Sequence, residues 1–240
     1  MRRTWRKSLF LFLLVLCSKS LCFSQLPDFT LQFSGAYHSD IRVGNVSMHK
    51  TLLNPLSDRL FLDLGVRASA FQASNIEYST ADAELRKDDK NKDLLLVESS
   101  LHGSISLFFN AEYGITDRLR VGISFDVLGY SFGPEIEGSF KPGSEAITQG
   151  QIEQDGVSAK PLEKNVFLFG NPIEGSLNTQ LFARFVPANR FSIYGGISYN
   201  HSQYNTLQAF GVNDHSEFRF QAVLPFVGLA FNFYDKVDSE

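Results

Sequence analysis

The stretch "EYGITDRLRVGISF", residues 112–125, decides the fold. Two runs meet at Thr116-Asp117-Arg118, a polar turn too short to be a linker. After it, Leu119, Val121, Ile123 and Phe125 take one face, and Arg120, Gly122 and Ser124 take the other. A period of two marks a strand with two different faces. The stretch reads as a β-hairpin that is apolar on one side and lined with glycine, serine and charge on the other.

The same period recurs along the chain. Strands are expected over 28–37, 43–53, 59–71, 98–114, 118–131, 176–187, 190–203 and 216–233. Soluble strands average about five to six residues, whereas a tilted strand needs about 9–11 to cross a bilayer. The apolar faces end repeatedly in aromatics: Phe29, Tyr37, Tyr113, Phe185, Phe191, Tyr199 and Phe233. An apolar outside, a polar inside and aromatic girdles are what a lipid-embedded barrel requires. The expected fold is all-β, a transmembrane antiparallel β-barrel of eight strands, with ten as the alternative. The segment 43–53 alternates least clearly. Near Pro225 the apolar parity switches, which reads as a bulge able to take a proline.

The hairpin turn has two weaker echoes. Asp58-Arg59, Asp117-Arg118 and Asn189-Arg190 each precede an apolar strand start. Asp and Asn bond their own backbone in turns, so Asp117 is expected to close its bend. Arg at a strand start reaches back to lipid headgroups. The other connections, 74–93, 133–175 and 205–216, are longer and polar, with 165–169 read as an extension of the sixth strand. Outer-membrane barrels carry short periplasmic turns and longer external loops, so the three Arg-bearing turns are expected in the periplasm.

At the N-terminus, Arg2, Arg3, Arg6 and Lys7 precede the apolar run 9–16, and Cys22 and Ser24 flank a cut before Gln25. This is the pattern of a secretory leader. Residues 1–24 are read as a cleaved signal peptide and 25–240 as the barrel. Cleavage removes both cysteines, so the exported part has no disulfide. It also removes five cations, counting Lys19, and moves the formal charge from −4 to −9. An acidic exported chain is not a nucleic-acid binder.

The hairpin and the closing strand "FVGLAFNF" (226–233) resemble the small outer-membrane β-barrels of the OmpA/OmpX and opacity-protein type. The resemblance implies the outer membrane of a Gram-negative bacterium, with lipids and lipopolysaccharide as surroundings. It also implies that the barrel-assembly machinery recognises the terminal aromatic, here Phe233. "YDKVDSE" (234–240) follows that aromatic, where family members often end. The expected role is non-enzymatic: envelope structure or surface interaction through external loops, chiefly 133–175, with the external partner unknown.

Eight strands enclose an interior that side chains fill. Asp63, Arg67, Glu112, Arg120, Asp126, Arg184 and Arg219 are expected inside as a paired network, because buried charges need partners. Two alternatives remain. One is a small pore with a gating or acid/base pair. The other is a surface hydrolase resembling outer-membrane lipid A deacylases, which place a His, a Ser and an acid at the outer rim. His201, Ser202 and Glu217 supply the types, but adjacent strand residues face opposite sides, which departs from that pattern. Histidines 38, 49, 102, 201 and 215 are scattered, and no metal or cofactor is expected.

Overall fold

The computed structural model describes residues 29–53, 59–80, 92–167, 174–188, 190–210 and 215–233. The leader, Asp58, Asn189 and the tail 234–240 lie outside these residues. The strands are β1 (Phe29–His38), β2 (Ile41–Leu53), β3 (Leu60–Thr80), β4 (Leu94–Gly114), β5 (Leu119–Phe132), β6 (Ile136–Lys141), β7 (Gln154–Pro161), β8 (Lys164–Val166), β9 (Leu177–Ala188), β10 (Phe191–Phe210) and β11 (His215–Phe233). One short helix, α1 (Ser144–Thr148), interrupts them. No helix among the described residues is long and apolar enough to cross a membrane.

Eight strands close on themselves. Antiparallel pairings run β1–β2–β3–β4–β5–β9–β10–β11 and return to β1, where Phe29 pairs Phe233 and Ala36 pairs Phe226. The ring leaves no edge strand to template aggregation. Its outer face is apolar: Val66, Leu107, Val121, Ile123, Leu181, Ile193 and Leu229 are all exposed. Its inner face buries Gln32, Asn45, Ser47, Ser106, Asn110, Gln180 and Ser198. This inverts a soluble protein and is the arrangement of a transmembrane β-barrel. Aromatics gather at the closing seam. The Phe29 and Phe233 rings stack at 4.6 Å, and Phe231 packs between Phe33 and Phe191. The architecture is that of the small outer-membrane barrels the hairpin resembles.

The expected bulge at Pro225 is absent. The β10–β11 register runs unbroken through Ile197↔Pro225. Asn232 donates to Arg190 O on the β10 side, so odd-numbered nitrogens of β11 turn toward β1. Pro225 stands one residue past the last β1 pair, Ala36↔Phe226, where its missing N–H costs no ladder bond. Even-numbered β11 residues therefore face inward throughout, with Phe218, Leu224 and Phe226 buried. Arg219 consequently lies on the outer face and not in the lumen. A register shift occurs instead at Val127, between Leu107↔Leu128 and Phe108↔Asp126.

The segments expected as loops build a second closed ring. The β1–β2 hairpin turns early, at Ser39-Asp40, while β3 and β11 continue past it and pair directly through Thr80↔Phe218 and Ser79↔Arg219. From there the ring passes through β4, β6, β7 and β10 and back to β11. Six strand segments thus form a narrower barrel on top of the eight. At the junction Asn75 takes φ 52. Ala73 and Ile76 both face inward, as do Ser100 and Val97 on β4. Both strands step by one residue at the same level, so the facing residues change while the register is kept. The segment read as extending the sixth strand does continue its line along β5. Above Phe125↔Thr179 of β9, Leu128 pairs Val166 and Tyr130 pairs Lys164, while 168–169 lie outside the described residues.

Candidate functional site

Inside the eight-strand ring, charges meet in two groups. Arg67 Nη1 donates to Asp126 Oδ1 at 2.9 Å, and Asp126 Oδ2 accepts from Asn178 N at 3.0 Å. The guanidinium also lies 4.5 Å from the centre of the Phe108 ring. Nearer the turn end, Arg184 Nη2 lies 2.7 Å from Glu112 Oε1, and Arg120 Nη1 lies 3.9 Å from Glu112 Oε2. Asn110 Nδ2 bridges Asp63 Oδ2 at 2.6 Å and Glu112 Oε1 at 2.9 Å. His49 Nε2 faces Asp63 at 3.5 Å. Arg67, Arg120 and Arg184 thus stand against Asp63, Glu112 and Asp126, and their formal charges cancel. Arg67, Asp126, Glu112 and Arg184 are buried, while Arg120 covers Phe61 at the mouth, 4.0 Å from its ring centre. A charge taken out of water needs a close counter-charge and hydrogen bonds. The Arg67–Asp126 pair has both. Glu112 and Arg184 face each other at 2.7 Å, with Glu112 Oε2 and Arg184 Nε left without a hydrogen bond among the described residues.

Above this polar interior lies an apolar one. Tyr78, Leu95, Phe140, Tyr204 and Phe218 are almost fully buried inside the six-strand ring. Phe140 stacks on Phe210 at 4.7 Å and meets Phe218 edge-on at 6.2 Å. Burying each such side chain contributes about 1.5–3 kcal/mol. The floor of this core is a hydrogen-bonded chain. Tyr78 Oη lies 2.8 Å from Ser100 Oγ, which donates to Tyr204 Oη at 3.1 Å, and His102 stacks on Phe71. Burial pushes the Tyr78 and Tyr204 phenols, both above the membrane-spanning ring, to higher pKa; the neighbouring Tyr204 adds to the effect on Tyr78. A void of about 20 Å³ lies beneath, between Ser69, His102, Ser104, Ser176 and Asn200, with room for about one water. At the far corner Gly143 N donates to Asp93 Oδ1 at 2.6 Å, and Ala146 of α1 is buried.

The rim residues considered for hydrolysis serve a strap instead. Residues 162–167 and 174–176 lie across the tops of β5, β9 and β10. Asn165 pins the strap, bonding Ser131 Oγ and accepting from Ser176 N at 2.8 Å. Gly175 takes φ +82, and Asn165 Oδ1 lies 2.1 Å from where a Cβ would stand, so only glycine fits. His201 Nδ1 donates to Gly175 O at 2.8 Å, and Gln203 Oε1 accepts from Gly175 N at 3.0 Å. Glu217 accepts from Gln203 Nε2 at 2.8 Å. Ser202 lies on the opposite face from His201. The three residue types are therefore not brought together. Asn165 carried no functional reading in the sequence, because a buried clasp has no motif.

The three Arg-bearing turns are equivalent in backbone bonding. Arg59 O accepts from Gly114 N, Arg118 O from Val186 N and Arg190 O from Asn232 N, each on the next strand, and all three side chains are exposed. Thr116, not Asp117, closes the hairpin: its Oγ1 accepts from Leu119 N at 3.0 Å and from Arg118 N at 3.3 Å. Phe233 stands exposed at the turn end of β11. No grouping of three potential metal ligands occurs among the described residues.

No protein-family model and no curated protein matches the chain. Among solved structures it is similar to the N-terminal β-barrel domain of Pseudomonas aeruginosa OprF, at 11% identity and a TM-score of 0.37, covering 86% of this chain and 97% of that one. It is also similar to the attachment invasion locus protein Ail of Yersinia pestis, at 14% identity and a TM-score of 0.33, covering 86% and 97%. A further likeness is to the toluene transporter TbuX of Ralstonia pickettii, at 9% identity and a TM-score of 0.27, covering 88% and 79%. Values this low add nothing to what the strand pairings themselves establish.

Proposed function

We propose that this is a non-enzymatic, non-conducting outer-membrane barrel that presents a rigid, folded cap at the cell surface. The cap end faces outward and the three Arg-bearing turns face the periplasm, following the short-turn, long-loop asymmetry of such barrels. The observation that carries the reading is the second ring of strands, whose apolar core stands over the neutral lumen. A permeating ion would have to break the Arg67–Asp126 pair and then pass between packed Tyr78, Phe140 and Phe218. Envelope structure and surface contact are the roles such a molecule can serve. The leader at 1–24 and recognition of Phe233 by the assembly machinery fit this placement, and a mature N-terminus at Gln25 is expected.

Planar-bilayer recordings test the reading: no conductance steps are expected, and regular single-channel steps would favour a pore. The hydrolase alternative loses support from the bonds of His201 to Gly175 and of Glu217 to Gln203. Lipid A from cells with and without the protein is expected to show identical acyl chains by mass spectrometry.

A further inference from the structure

The lipid-facing wall is not uniform. One row across five neighbouring strands and into a sixth reads Val227, Gly35, Gly44, Ala70, Gly103 and Phe132, each paired with the next. Four small residues in succession leave a groove of roughly 870 Å³, with almost only apolar surface inside it. That lies within the range of about 300–1,000 Å³ typical of ligand sites. Val227 bounds one end and the Phe132 ring the other, leaning onto Gly103.

Most glycines of the barrel wall have a packing reason. A Cβ at Gly65 would stand 2.3 Å from Met48 O, one at Gly196 2.0 Å from Leu181 O, and one at Gly228 2.5 Å from the Tyr194 ring. Gly35 and Gly44 have none, because a Cβ at either meets nothing within 4 Å. Glycine inside a strand weakens it by about 0.5–1 kcal/mol, and it marks places where a ligand or another backbone approaches closely. Nothing among the described residues approaches these two.

The next row toward the cap is different in kind. Tyr37 pairs Arg42, and Arg42 pairs Gln72, all on the same outer face. The Arg42 guanidinium lies 5.9 Å from the Tyr37 ring centre. An apolar recess therefore ends, one step toward the external side, under a cation and two hydrogen-bonding groups.

We infer that this groove holds one acyl chain of a lipid A molecule whose phosphate is bound by Arg42. The inference rests on the membrane-barrel reading above. Position fixes the class of occupant, since the wall faces hydrocarbon. Charge complementarity selects an anionic headgroup over a zwitterionic one, because Arg binds phosphate through charge-assisted, bidentate bonds. A second barrel would bring its own convex wall against this one and leave the recess unfilled.

The test uses the full mature protein in phosphatidylcholine nanodiscs doped with lipid A or, separately, with phosphatidylglycerol, and counts retained lipid by native mass spectrometry. One lipid A per barrel is expected to survive release from the disc. Gly35→Leu with Gly44→Leu fills the groove from positions where an added Cβ meets nothing within 4 Å and is expected to abolish retention. Arg42→Gln is expected to lower it about tenfold, the loss of one hydrogen-bonded charge. Equal retention in the filled variant, no retained lipid in the wild type, or equal retention of phosphatidylglycerol overturns the assignment. So does a dimer that the filled variant loses. Should the filled variant not assemble, Arg42→Gln carries the test alone, and unchanged retention there overturns it. Heat-modifiable gel mobility monitors the barrel independently: its absence from the wild type would count against the membrane reading, not against the groove.

Discussion

Strands β3, β4 and β10 pass through both halves of the molecule and fill them oppositely. Below Phe71 and His102 they turn Arg67, Asn110, Glu112 and Ser198 inward; above, they turn in Ile76, Tyr78, Leu95 and Tyr204. The β3–β4 register is kept through both halves while the strands' other neighbours change, and the medium outside changes too. Where lipid surrounds the ring, apolar side chains belong outside and polar ones are left for the interior. Where water surrounds it, the interior reverts to an apolar core. The level at which the filling inverts is where the chain leaves the membrane, and the paired step at Asn75 sits there.

The two fillings should fail differently. Arg67→Met removes the partner of buried Asp126, and breaking such a pair costs about 3–5 kcal/mol. Urea titration in lipid vesicles is expected to show that loss for the whole barrel. Adding Asp126→Leu should recover much of it, since removing both charges leaves none unpaired. Phe140→Ala opens a cavity in the upper core at a cost of about 3 kcal/mol, but confined to the cap. Proteolysis between 142 and 153 should quicken while heat-modifiable mobility stays intact; loss of that mobility would mean the two rings are one unit.

A smaller effect separates the turn residues. Thr116→Val removes the oxygen that takes two backbone N–H groups and should cost about 1 kcal/mol. Asp117→Ala should stay within about 0.5 kcal/mol. At neutral pH the least effect is that of the cap tyrosines. Their pKa values are raised by burial, so above about pH 10 the unfolded chain releases protons that the folded cap retains. Cap stability is thus full below about pH 10 and declines as pH climbs, read by proteolysis of the same segment. A cap that tightens with rising pH would contradict the burial of Tyr78 and Tyr204.

The eight-strand ring was legible because period two is strong wherever one face must be apolar. The segment 43–53 read poorly because β2 carries small or polar residues on both faces: Gly44 outward, Asn45, Ser47 and His49 inward. The cap was hidden for a related reason. Ile76, Tyr78, Leu95 and Val97 do alternate, but charged neighbours and short length made them look like loop. Arg219 was misplaced by one assumption. Phe218, Phe220, Ala222 and Leu224 are apolar, and the rule that apolar faces lipid puts them outside, puts Arg219 inside and requires a switch at Pro225. They face an apolar interior, a possibility excluded by treating the whole barrel as polar inside. Of the site, the lumenal charges could be placed from parity alone. Their pairing and the Asn165 clasp depend on distances between strands that no local pattern encodes.

The pairing of β3 with β11 above the β1–β2 hairpin closes the upper ring and tests the two-ring account most directly. Ser79 and Arg219 are partners there, and paired residues of antiparallel strands bring their Cα atoms within the range of about 4.4–6.8 Å that a disulfide spans. No cysteine occurs among the described residues, so a Ser79→Cys, Arg219→Cys protein can be read without interference. Oxidation at the surface of intact cells should produce an intramolecular disulfide, with heat-modifiable mobility unchanged. Two thiols that each react with a membrane-impermeant maleimide yet never join would mean that β3 and β11 do not meet, and that the barrel ends in open loops.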